Sequence, residues 1–109
     1  MKKYCQVLEI KPECLDEYVE FHKNAWPEFL EALRDCGLHK EVAYLYGNKV
    51  ILYMECEDFD ELGKVFYEMD VWKRWDAITS KWFAAPATPW LPKIYDVFQQ
   101  IDGGTLEQF

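Results

Sequence analysis

Hydrophobic and polar positions alternate in part along "YCQVLEI" (Tyr4–Ile10), which predicts a strand. Pro12 then opens a helical pattern at the one turn where a missing N–H costs nothing. Glu13, Asp16 and Glu17 suit the positive end of that helix. The pattern runs to about Asp35 and stops before Gly37, a fitting C-terminal cap. Pro27 is expected to kink or split it near Lys23–Trp26. Leu15, Val19, Phe29, Leu30 and Leu33 are the expected core stripe. "HKEVAYLY" (His39–Tyr46) and "KVILYMECE" (Lys49–Glu57) flank Gly47-Asn48, a tight turn signal, and predict a hairpin. Asp58 with Glu61 three residues later resembles a capping box before a helix over Phe59–Met69. Asp70 is expected to cap a further helix, Val71–Phe83. A proline-rich loop, "AAPATPWLP", leads to a last strand at Lys93–Ile101 and a polar tail from about 102 to 109. That tail is expected to be mobile or to reach a neighbour.

The resulting order is β-α-β-β-α-β. It predicts an α+β, ferredoxin-like fold: a four-stranded antiparallel sheet with helices on one face. The other face asks for a cover. In "VILYMECE" one alternating set is Val50, Leu52, Met54 and Cys56, and the other is Ile51, Tyr53, Glu55 and Glu57. Both sets hold large apolar groups, and "EVAYLY" behaves alike. A sheet wet on one side alternates more cleanly. A homodimer in which the second faces pack together is therefore expected.

Length changes this picture little: 109 residues suit one domain. An aromatic share of 17% argues against disorder and asks for a thick core, an interface or a ligand pocket. A net charge of −8 with no basic cluster beyond Lys2-Lys3 argues against nucleic acid and anionic membranes as partners. No run of apolar residues is long enough to span a bilayer, and no signal peptide is evident, so a cytoplasmic location is expected. Cys5, Cys14, Cys36 and Cys56 form no C-x-x-C pair and lack histidines at ligand spacing. No metal site is expected from them.

The candidate chemistry lies in "YVEFHKNAWPE" (Tyr18–Glu28). Residues four apart on a helix are neighbours, so Tyr18, His22 and Trp26 would form one stripe. Composition alone reads His22 as a core or interface histidine. Its imidazole can also move a proton near neutral pH, and aromatic walls suit a small polar ligand with an apolar face. His39 is expected to be structural. Trp72 and Trp75, three apart, read first as core. Glu41 reads either as a solvated edge residue or as a carboxylate partner for His22.

These blocks resemble the L-rhamnose mutarotase family. The similarity is carried by the opening strand, "KPECLDEYVEFHKNAWPE", "CGLHKEVAYLY", "MDVWKRW" and a closing "YDVF". It weakens around the proline-rich loop and is absent from the last eight residues. The resemblance implies a dimeric α+β barrel without metal or organic cofactor, interconverting the anomers of a 6-deoxy sugar. By resemblance His22 falls on the catalytic proton donor and Tyr18 on a sugar-binding tyrosine. Trp75 falls on the first of two adjacent tryptophans lining the sugar site, and Trp26 belongs to the same aromatic block. Two positions depart from the pattern: Glu41 stands where the family tends to have tyrosine, and Asp76 where it has the second tryptophan.

The chemistry fits the residue inventory. Opening a hemiacetal ring needs a proton taken from the anomeric hydroxyl and one given to the ring oxygen, and closure reverses both transfers. One group near neutral pKa, with a hydroxyl, carboxylate or water, suffices. Two other readings compete: a different small enzyme on the same barrel, and a non-catalytic sugar-binding module.

Overall fold

The computed structural model describes residues 1–85 and the backbone of residues 93–94, 101–102 and 105–106. Strand β1 (Lys2–Glu9) is followed by a single 3-10 turn at Pro12–Cys14 and helix α1 (Leu15–Lys23). Helix α2 (Pro27–Asp35) comes next, then the hairpin β2 (Lys40–Tyr46) and β3 (Lys49–Cys56). Helices α3 (Phe59–Phe66) and α4 (Asp70–Thr79) complete the described helical layer, and β4 (Lys93–Ile94) returns to the sheet. The sheet order is β2-β3-β1-β4, antiparallel at every junction, which is the ferredoxin-like arrangement. The remainder of the strand expected at Lys93–Ile101, Ile101 apart, lies outside the described residues. In the tail, β5 (Ile101–Asp102) pairs with β6 (Thr105–Leu106).

Local chemistry explains the boundaries. Pro27 sits at the first position of α2, and α1 ends at Lys23, so the expected kink is a complete break. Helix α2 closes through a Schellman arrangement: the Leu38 N–H donates to the Leu33 carbonyl and the Gly37 N–H to that of Arg34. Gly37 adopts a φ of 111° there, and Gly47 one of 64° in the hairpin turn. The Asp58 carboxylate accepts the N–H groups of Asp60 and Glu61, a cap worth about 1 kcal/mol.

Four expectations are corrected. The last helix starts at Asp70 with Met69 as its cap, because the Asp70 carboxylate accepts from Arg74 Nε at 2.7 Å instead. It also ends at Thr79, and residues Ser80–Trp82 tighten into a 3-10 turn. The helix expected over Phe59–Met69 stops at Phe66. Leu30 is 52% exposed, not core, because the break before Pro27 resets the helical phase.

Alternating sets in β1 and β3 share the helix-facing side: Tyr4 and Leu8, with Ile10 just beyond β1, and Val50, Met54 and Cys56, all buried. Tyr4, Met54, Cys56, Phe29, Leu33, Leu62, Phe66, Val71 and Trp75 form the main core cluster between sheet and helices. Leu8, Ile10, Tyr18 and Val50 make a second cluster, with Trp82 and Phe83 against it. Backbone bonds from Lys11 to the Trp82 carbonyl and from Ala84 to the Glu9 carbonyl, each 2.8 Å, pin Phe83 beside that cluster.

Candidate active site

A cavity of about 330 Å³ lies between the sheet and the helices, at the small end of ligand clefts, which run roughly 300–1,000 Å³. Its floor is the helix-facing set of three strands, including Gln6, Glu41, Ala43 and Leu52. Helix α1 contributes Tyr18 and His22. Helix α4 contributes Trp72, Trp75, Asp76 and Thr79, whose spacing of three and four residues sets them on one face. Phe66 and Tyr67 close the α3 side, and Phe83 one end.

His22 is held from three directions. Its Nδ1–H donates to the Tyr18 carbonyl at 2.8 Å. A carbonyl only accepts, so the proton of the neutral ring is on Nδ1 and Nε2 carries the lone pair. The imidazole stacks on the Tyr18 ring with centroids 4.0 Å apart, and the Trp75 ring meets it edge-on at 5.2 Å. Burial lowers the pKa of His22 below its ordinary 6.5, with the bond to the Tyr18 carbonyl opposing in part. At neutral pH the group is therefore a base with its acceptor nitrogen unprotonated.

Glu41 lies on β2 opposite Met54, and its carboxylate belongs to the cavity wall. By surface area it is exposed, because the cavity opens along this edge. The protein packed around it still removes enough water to raise its pKa above the usual carboxylate value. Tyr18 is pushed up to about 12, first by burial and then by the charge of Glu41. Tyr67 moves in the same direction for the same two reasons. Glu41 thus lies within electrostatic reach of both phenols. On α3, Gly63 leaves room for Tyr67: a Cβ there would stand 3.1 Å from the Tyr67 ring.

Trp75 is a wall and a keystone together. It is 4% exposed, stacks on Phe29 at 3.9 Å and 11°, and meets Phe21, His22 and Trp26 with its edges or faces. Trp26 is placed differently from expectation. The break at Asn24 takes it off the Tyr18–His22 line, and it does not line the cavity. It packs behind Trp75 and against Phe21, under the Arg74 guanidinium at 5.5 Å. Arg74 in turn bonds Glu28 at 2.5 Å and Asp70 at 2.7 Å, tying α2 to α4 from outside.

Of the six residues expected at the site, His22, Tyr18, Trp75, Glu41 and Asp76 meet around one cavity and Trp26 supports it from behind. Gln6, Tyr67 and Thr79 line it unannounced. A signal existed for Gln6, a polar residue in the inward set Tyr4, Gln6, Leu8, and for Thr79, one turn beyond Asp76 on the tryptophan face. Among the described residues no cluster of His, Cys, Asp or Glu could hold a metal ion.

Known proteins share this chain's fold and part of its sequence. The crystal structure of an L-rhamnose mutarotase from Formosa agariphila superposes with a TM-score of 0.71 over 91% of this chain and 98% of that chain, at 14% identity, which speaks for the fold. A protein of Dictyostelium discoideum is 39% identical over 62 residues, so this chain spans half (50%) the length of that relative while 54% of its own is matched. The L-rhamnose mutarotase of Enterobacter sp. (strain 638) is 31% identical over 70 residues, 63% of this chain and 67% of that one. The family model described as L-rhamnose mutarotase matches residues 3–100, a span that takes in α1, the hairpin and α4, and so every side chain placed around the cavity. With that match the chain belongs to the L-rhamnose mutarotase family.

Proposed function

We propose that the protein is an aldose mutarotase, interconverting the α and β anomers of L-rhamnose or a similar sugar. The observation that carries this reading is the fixed tautomer of His22, which offers a basic Nε2 to an aromatic-walled cavity of monosaccharide size. Nε2 takes the proton of the anomeric hydroxyl. The ring oxygen is bonded to the same carbon, so the imidazolium so formed can return that proton to it as the C1–O5 bond breaks. The Tyr18 carbonyl, accepting from Nδ1–H, steadies the cation while it exists. The open-chain aldehyde turns about its C1–C2 bond and closes on its other face by the reverse transfers. Tyr18 and Trp75 line the apolar side of the cavity, and Glu41 and Asp76 offer carboxylates to donors on the sugar. The test is saturation-transfer NMR on the two anomeric protons of L-rhamnose. Exchange that rises in proportion to protein concentration is expected. Exchange that stays at the solvent rate, for L-rhamnose and for related aldoses, refutes the reading.

We also infer that two copies pair through the open face of the sheet, away from the cavity. Cross-strand rows there read Val42–Tyr53–Cys5 and Tyr44–Ile51–Val7, bounded by Lys40–Glu55–Lys3 on one side and Tyr46–Lys49–Glu9 on the other. An apolar band between charged rows is the layout of an interface core with a polar rim. Val7 and Tyr44 are 56% and 57% exposed in the single chain, which leaves a contiguous apolar patch in water unless it is covered. Sedimentation equilibrium at micromolar concentration is expected to give a dimer. Val7→Lys together with Tyr44→Lys is expected to give a monomer, and a monomeric wild type would remove this inference. A cytoplasmic setting agrees with the four cysteines being free thiols.

A further inference from the structure

The cavity holds two carboxylates that no described residue pairs. Glu41 stands on the sheet side, on the edge strand β2, and Asp76 on the helix side, on α4. Neither takes a side-chain hydrogen bond or an ion pair among the described residues. Arg74, two residues before Asp76, is committed outward to Glu28 and Asp70. Among the described residues no lysine or arginine lines the cavity.

Such carboxylates lose hydration when a ligand fills the space before them, and they recover it only from donors that the ligand brings. A methyl group brings none. A hydroxyl brings one, in a charge-assisted bond. The aromatic rings around them, Tyr18, Tyr67, Trp72 and Trp75, limit how much water could remain as a substitute. The protein packed around Glu41 already raises its carboxyl above the ordinary range, while its edge position leaves it reachable by a ligand's donors.

We infer that Glu41 and Asp76 are specificity-determining residues that set this cavity for a fully hydroxylated hexose over its 6-deoxy counterpart. This rests on the reading of the cavity as a sugar site. L-mannose and L-rhamnose form the minimal pair, since they share every stereocentre and differ by one hydroxyl.

The experiment measures anomer exchange of both sugars by saturation-transfer NMR with the full chain, in wild type, Glu41→Gln, Asp76→Asn and the double variant. A ratio of kcat/KM for L-mannose over L-rhamnose of roughly 10 to 100 is expected in the wild type, the range of one hydrogen bond to a charged group. The ratio should fall toward one in the amide variants, which keep shape and lose charge. A wild-type ratio at or below one overturns the inference whatever the variants do, while leaving the mutarotase reading intact. A ratio unchanged in both single variants, with circular dichroism showing them folded, overturns it as well. If no sugar is exchanged faster than in buffer, the mutarotase reading fails separately. Competition between the two sugars in ligand-observed saturation-transfer-difference NMR then reads the selectivity. Tighter L-mannose binding, weakened by the amides, supports it. Equal binding, or none, overturns it.

Discussion

In the His22→Gln variant, catalysed anomer exchange is expected to fall by about 10²–10⁴-fold, the range supplied by one general acid–base group. The amide fits the same helical turn and can still hydrogen-bond, but it has no lone pair that takes a proton near neutrality. Circular dichroism and the unfolding midpoint should stay near wild type, because His22 is half-buried beside the core and not within it. The wild-type rate should fall with acid through a midpoint below 6.5, since burial lowers the pKa of His22 and only the neutral ring is a base. Stability follows the same sign. The unfolded chain takes up a proton on this residue near 6.5 and the folded one only at lower pH, so stability drops as pH falls between those two values. Stopped exchange measurements from pH 4.5 to 8 would check the profile. A wild-type rate in His22→Gln removes His22 from the mechanism.

Trp75→Ala is expected to have the largest effect on stability, a loss of about 3–5 kcal/mol. That is a large share of the roughly 5–15 kcal/mol that holds a domain together. The ring is almost wholly buried and bridges Phe29, Phe21 and Trp26, so its removal opens a void bordered by three aromatic faces that cannot collapse into it. Urea denaturation followed by far-ultraviolet circular dichroism reads the loss directly. Trp75→Phe, which keeps a ring against Phe29, should recover part of it. The indole edge also shields the His22 ring at 5.2 Å, so in a folded Trp75→Phe protein the acid limb of anomer exchange should move up toward 6.5. An alanine variant as stable as wild type would mean that the stack of Trp75 on Phe29 carries little of the fold.

The elements that the sequence announced were those governed by local chemistry. The Asp58 cap, the Gly47-Asn48 turn and the split before Pro27 each depend on a few neighbouring residues, and each stands where it was expected. The order βαββαβ followed from them. Errors arose where position depends on phase carried across an interruption. Tyr18 and His22 sit within one helix and keep their stack, but Trp26 and Leu30 lie past the break, and three non-helical residues turned them to other directions. Glu41 was undecidable for a different reason. Both alternating sets of β2 carry apolar groups, so period two alone could not choose the inward one. Pairing of Glu41 with Met54, a buried residue of β3, settles it. Tyr67 came from no periodic signal at all, since it lies just past the end of α3 and owes its place to packing against Phe66 and Trp72.

The missing side chain at Gly63 gives the cavity an adjustment point behind its wall, since Gly63 itself does not line it. A methyl group there would stand 3.1–3.2 Å from two carbons of the Tyr67 ring, closer than ordinary contact, so the phenol would have to give way by a few tenths of an ångström. Because Tyr67 is part of the cavity wall and feels the Glu41 charge, that small displacement would be transmitted to both the width of the opening and the field inside it. A single substitution at this position of α3 would thus retune the cavity while leaving His22 and its Nδ1 proton undisturbed.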